Sequence, residues 1–188
     1  MDRKCFLRES LGIGLGSCLG LALGGVPAPA AAASTVEEDL ARVTREKEFI
    51  AHWLSDLLET MDSVLDEPTR VKVIEGCGRG CFRRHSFKTD IAAAGKGDVE
   101  KLIQAYHQNF EAWREGDLVH IRFGAVSTKC YCPVAQTQPA KPNDLHCECT
   151  KATHQAIFET ALGRPIRVEI LESLRRGGKT CHFVAHLA

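Results

Sequence analysis

The sequence predicts an α+β domain: amino-terminal helices followed by an antiparallel sheet with a C-terminal β-hairpin. Three observations carry that expectation. From Val36 the apolar residues recur at alternating steps of four and three, the spacing of an amphipathic helix. After Gly116 the period falls to two, so that in DLVHIRFGAV the residues Leu118, His120 and Arg122 share one face and Val119, Ile121 and Phe123 the other. At the carboxyl end PIRVEILESL and KTCHFVAHL flank RRGG, two strands around a glycine turn. Helices first and strands afterwards is the order of an α+β domain rather than of an alternating parallel sheet.

The elements follow in order. Positions 36, 40, 43, 47, 50, 54, 57, 61 and 64 are apolar except Lys47, which predicts one long helix over 36–64 inside a segment spanning 34–70. Two partners suit its apolar seam. One is the chain's own domain, with Phe49 and Trp53 widening the face; the other is a second copy, giving a homodimer through a coiled coil over 36–64. Asp66 and Pro68 then supply an N-cap and an early proline for a second helix, expected to end at the glycines around Cys77. Asp98 caps a third through about Phe110, with Val99, Leu102, Ile103 and Tyr106 on one side. Cys130 to Cys132 reads as a short extended piece stopped by Pro133, and the stretch through Pro142 as a loop. Residues 150–162 read as a helix with Ala156, Ile157 and Ala161 turned inward, and 164–187 as the final hairpin, with Gly177 and Gly178 supplying positive backbone angles. Residues 71–188 thus form a cysteine-rich α+β domain.

Residues 1–33 read as an export signal of three parts: DRKCFLR, a glycine-rich apolar run from Leu11 to Val26, and PAPAAAAS. The charged start resembles the twin-arginine translocation signal, with Arg3 kept, Lys4 in place of the second arginine, and Phe6-Leu7 in step. That resemblance implies the twin-arginine translocase as partner, a periplasmic or otherwise exported location, and cargo folded before transport, often around a cofactor inserted in the cytoplasm. Cleavage is expected after Ala30 or Ala33; the alternative is an uncleaved anchor, for which the 16-residue run from Leu11 to Val26 is short against the roughly 20 residues of a membrane span.

Residues 34–188 suffice for one domain with a real core and hold 22 acidic and 21 basic side chains, a balance that recommends neither nucleic acid nor anionic lipid as a partner. They also hold seven cysteines: Cys77, Cys81, Cys130, Cys132, Cys147, Cys149 and Cys181. An odd count cannot be fully paired within one chain. In an extended chain residues i and i+2 share a face, so Cys130 with Cys132 and Cys147 with Cys149 each offer two sulfurs on one side, and four thiolates suit zinc or an iron-sulfur cluster. Disulfides between the pairs, or no bond at all, are the competing readings. Cys77 and Cys81 lie in GCGRGCFRRH, where Gly76, Gly78 and Gly80 let backbone amides approach sulfur and Arg79, Arg83 and Arg84 bring positive charge. They are read as cofactor ligands or a reactive pair with His85 as base, against two buried cysteines beside a solvated arginine cluster. Cys181 shares its face with Phe183 and Ala185 and reads as core. His146 stands as an extra ligand or as a solvent-facing loop histidine.

The order of these features, a C-x3-C after a helix, a CYCP, a CECT leading into a helix, RPIRVEILESL, a glycine turn and a C-x-F strand, resembles the 4-vinyl reductase-type small-molecule-binding domains. It is most similar to their L-2-amino-thiazoline-4-carboxylic acid hydrolase-like relatives, over Val71 to Leu187. The resemblance implies metal or thiol chemistry at the matching cysteines and a small hydrophobic or sulfur-containing ligand, and it maps no catalytic residue onto this chain. Three function classes follow. The first, preferred, is an exported protein holding zinc or an iron-sulfur cluster through clustered thiolates, in redox, sensing or small-molecule binding. The others are a thiol-dependent hydrolase of a small sulfur-containing substrate and a disulfide-stabilised ligand-binding or accessory protein. Cys77, Cys81, Cys130, Cys132, Cys147 and Cys149 are expected to converge on one pocket, four binding and two remaining as spare thiols.

Overall fold

A computed structural model describes residues 35–137, 139–141 and 144–188. The expectations for residues 1–33 lie outside the described residues. The chain divides into two units, Met1–Asp39 and Leu40–Ala188, and the site and core described below belong to the second.

Helix α1 spans Val36–Val64. Its start is a capping box, in which Thr35 Oγ1 accepts from Glu38 N (3.2 Å) and the Glu38 carboxylate accepts from Thr35 N (2.8 Å). None of its residues is buried, and Val36, Leu40, Val43, Ile50 and Leu57 of the seam are exposed, as are Phe49 and Trp53, 73% and 57% accessible. The seam therefore does not lie along the chain's own domain. Its last turns are tied down, where Asp62 accepts from Arg70 (2.9 Å) and Lys141 (3.1 Å). Among the described residues no helix is long and apolar enough to cross a membrane.

Helix α2, Glu67–Arg84, starts as expected, with Asp66 accepting from Thr69 N at 2.7 Å and proline in the first turn. It does not stop at the glycines. It runs seven residues past Cys77, because at Gly78 it is covered by a later helix, which supplies the packing that propensity lacks. Helix α3, Ser86–Ala94, follows, and α4, Val99–Tyr106, is capped by Asp98 through Glu100 N and Lys101 N. Strands β1, Glu111–Glu115, and β2, Leu118–Arg122, form a hairpin turned by Gly116 at φ 60°. Cys130 to Cys132 is not a strand; it bends into a 3-10 turn over Val134–Thr137. Helix α5 spans Cys147–Leu162 and ends at Gly163, which takes the left-handed conformation. The chain closes with β3, Arg167–Glu172, a 3-10 turn over Leu174–Arg176, and β4, His182–His186. In that turn Gly177 alone adopts positive φ, at 89°; Gly178 is needed for space, since a Cβ there would run into Glu172 Cγ and Ser173 O.

The sheet order is β1-β2-β4-β3 with every pair antiparallel, so the α+β architecture and the C-terminal hairpin are as the sequence predicts. Register carries the alternation across the strands: Ile121 faces Phe183, which faces Ile170, and Val119 faces Ala185, which faces Val168. These side chains pack on Ile91 of α3, Leu102 and Tyr106 of α4, and Ile157 and Phe158 of α5, which makes the core. Cys181 is buried in the same cluster. On the other face His120 Nδ1 meets His182 Nε2 at 3.0 Å, with Trp113 stacked on the His120 ring.

Candidate functional site: a thiol cluster beside a pocket

The site starts from a helix crossing. Cys77 and Cys81 are four residues apart on α2, so their side chains lie on one face a turn apart. Between them Gly78 meets the first turn of α5. A Cβ at Gly78 would overlap the Cys149 carbonyl oxygen and press on Ala152, and the contact is locked by Thr153 Oγ1, which donates to both Gly78 O and Cys149 O at 3.0 Å. This close approach brings Cys149 over the Cys77–Cys81 face.

The Cys149 thiol is pushed up to about 12, first by burial and then by the thiols of Cys132, Cys81 and Cys77, with Lys88 opposing. Lys88 Nζ donates to Cys81 Sγ at 2.9 Å. Cys132 arrives from the loop before α5, and its Sγ lies 3.2 Å from His146 Nε2, while His146 Nδ1 is buried with no hydrogen-bond partner. Burial and the nearby Arg175 hold the His146 imidazole below its usual range.

A second group lies on the sheet side. Cys147 Sγ is 2.9 Å from Ser173 Oγ, and burial pushes its thiol up to about 11, with Cys181 adding to the rise. The Cys130 thiol is raised by burial, then by the nearby thiols of Cys181 and Cys132. All seven cysteines among the described residues are free. The sulfurs of CECT are thus divided: α5 begins at Cys147 itself, and on a helix residues i and i+2 are about 200° apart around the axis. Cys149 turns toward α2 and Cys147 toward the sheet. The same-face pairing expected from an extended chain does not hold for them, and the thiols that act on Cys149 are those of Cys132, Cys81 and Cys77.

The cysteine loop is clamped from the β3–β4 connection. Arg175, buried, donates through Nε to Asp144 Oδ2 (2.7 Å), through Nη1 to Ala135 O (2.5 Å) and through Nη2 to Pro139 O (3.0 Å). Asp144 in turn accepts from His146 N at 2.8 Å, fixing the residue that touches Cys132. The arginines of the glycine segment play no such part. Arg79 pairs with Glu159 at 2.8 Å, and Arg83 and Arg84 are exposed. The cation on the thiols is Lys88, for which the sequence carried no signal.

Among the described residues no group of three His, Cys, Asp or Glu side chains is arranged to hold a metal ion. Around Cys149 stand the thiols of Cys132, Cys81 and Cys77, with Lys88 on Cys81 and the His146 imidazole on Cys132. Beside them lies a pocket of about 950 Å³ between the end of α1, the start of α2 and the residues leading into α5, with His146 on its wall.

The chain belongs to DUF6144, a family of unknown function, which matches residues 30–186. No curated protein matches the chain.

Proposed function

We propose that the protein binds zinc or an iron-sulfur cluster through Cys77, Cys81, Cys132 and Cys149. The observation that carries this is the close crossing of α2 and α5 at Gly78, which sets Cys149 beside the helix that bears Cys77 and Cys81, where a thiolate is opposed first by burial and then by repulsion from the thiols of Cys132, Cys81 and Cys77. Such a set resists ionising unless a cation enters, and a thiolate-bound divalent metal removes that repulsion. Cys77 and Cys81 supply two donors from one helix face, Cys149 a third from a helix start, and Cys132 the fourth from the loop before α5. Lys88 offsets the surplus negative charge that four thiolates leave on a divalent ion. A bound zinc gives a structural centre and a cluster a one-electron carrier. Cys130 and Cys147 remain outside the set as spare thiols.

Titrating the metal-free protein with cobalt(II) tests the reading. A thiolate-to-cobalt charge-transfer band, with about four thiols lost to a thiol reagent, is the expected result. Absence of the band with unchanged thiol reactivity sinks it.

A second reading has its own observation, the 3.2 Å contact of Cys132 with His146 at the pocket. There His146 takes the Cys132 proton, the sulfur attacks the acyl carbon of a small substrate and expels a leaving group that takes that proton from His146, and water then hydrolyses the thioester to release the acid and free thiol, as in a thiol-dependent hydrolase. Loss of a hydrolytic activity in both Cys132→Ser and His146→Gln, in protein stripped of metal, would favour it over the first.

A further inference from the structure

Helix α1 carries its apolar side outward. Leu40 and Leu57 of the seam are 66% and 40% accessible, Val43 and Ile50 are exposed with them, and so are Phe49 and Trp53 beside it. Packing on the chain's own domain therefore leaves this face open. Its alternation of three and four reads as heptads, with Leu40, Lys47 and Leu54 at position a and Val43, Ile50 and Leu57 at position d.

The repeat selects what covers it. The 29 residues of α1 run for about 44 Å, and a seam regular over that length fits another straight helix of the same spacing rather than a groove or a short peptide. A lipid surface does not suit it. Between positions 36 and 64 stand eight acidic side chains and three basic ones, the opposite of the basic polar face that anionic headgroups hold. A second copy of the chain has the spacing required.

Two features set the direction of the pair. In parallel helices each seam position meets itself, so Lys47 would stand against Lys47 in one layer at the middle of the seam. In antiparallel helices each a position meets a d position, and Lys47 lies against an isoleucine with its ammonium reaching out along the edge. The second feature is aromatic. Phe49 and Trp53 fall at positions c and g, on one flank of the seam. Antiparallel helices bring the g flanks of both copies to a shared edge, which the aromatic residues of both then line; parallel helices put these flanks on opposite edges and leave Phe49 in water.

We propose that α1 pairs with α1 of a second copy of the chain as an antiparallel coiled coil, with Leu40 against the partner's Leu57, Val43 against the partner's Leu54 and Lys47 against the partner's Ile50. The pairing involves no cysteine and holds whether or not the thiols bind a metal.

The full chain with p-benzoylphenylalanine in place of Leu40, irradiated and digested, tests the register. On one straight helix positions 40 and 57 are about 26 Å apart, so a link between them joins two copies. Links from position 40 to residues 54–58, in a protein of twice the chain mass by light scattering, are the expected result. Links from 40 to 40, a dimer with no link in α1, or a mass of one chain or of more than two would overturn the proposal. A charge exchange checks it independently. Leu40→Lys and Leu57→Glu should each weaken the dimer at least about tenfold, and the double variant should be at least about tenfold tighter than either, because only antiparallel helices set the new charges against each other. That recovery also shows that the single variants are folded. A double variant no tighter than the single ones would overturn the pairing.

Discussion

Gly76 and Gly78, two residues apart on α2, should respond to alanine in opposite ways. A Cβ at Gly76 meets nothing within 4 Å, so Gly76→Ala gains helix propensity and should raise stability by about 0.5–1 kcal/mol. At Gly78 the same change drives a methyl into the Cys149 carbonyl oxygen, and neither helix backbone can yield without breaking the Thr153 bonds. There the clash outweighs propensity, and urea unfolding of Gly78→Ala should show a loss of about 1–3 kcal/mol. Equal responses at both positions would mean the helices do not cross here. His154 offers a second test at this scale. It is buried against Phe123 and Phe183, with Nδ1 on the Tyr106 hydroxyl at 3.1 Å, and burial, then Lys88, hold its imidazole down to about 3. The unfolded chain takes up this proton near pH 6.5 and the folded chain does not, so stability falls as pH drops from 6.5 toward 3. Between pH 7 and 5 this residue should account for a loss of about 2 kcal/mol, and His154→Gln should flatten that part of the urea midpoint profile. An unchanged profile would place the titration elsewhere.

Among elements, the cysteine loop depends on a residue far from it in sequence. Arg175→Leu leaves Asp144 buried without its guanidinium and two loop carbonyls without donors, and should lower stability by about 3–5 kcal/mol. Cys132 should also become more reactive to alkylation as His146 loses its anchor; a variant of wild-type stability and reactivity would remove the clamp from the account. How much of this was legible in the sequence differs by element. The α1 helix, the Asp66 and Asp98 caps and the final hairpin carried strong local signals and stand as expected, whereas packing of the α1 seam on the chain's own domain does not. The start of α5 carried none, because its N-cap, His146, makes no side-chain capping bond, and a three-residue shift of the boundary reversed the pairing of Cys147 and Cys149. The persistence of α2 through three glycines is a tertiary effect, supplied by α5, that local propensity argues against. Helix α3 follows an uncapped His85, and β1 reads EAWRE, too polar to announce a strand.

For the molecule as a whole, α1 leaves an apolar seam uncovered, and its strict four-three spacing over eight apolar positions is self-complementary, which favours a second copy of the chain. Light scattering should give twice the chain mass for the wild type and one chain mass for Ile50→Asp, whose position is 57% exposed in the single chain. A monomeric wild type would contradict this pairing. The central claim is the division of the cysteines, and metal content after anaerobic purification of the seven single cysteine-to-serine variants tests it most directly. About one zinc or one cluster per chain should be found in the wild type and in Cys130→Ser, Cys147→Ser and Cys181→Ser, and should be lost in Cys77→Ser, Cys81→Ser, Cys132→Ser and Cys149→Ser. Metal lost with Cys130 and Cys147 but retained without Cys77 and Cys81, or a wild type that holds no metal, would contradict it.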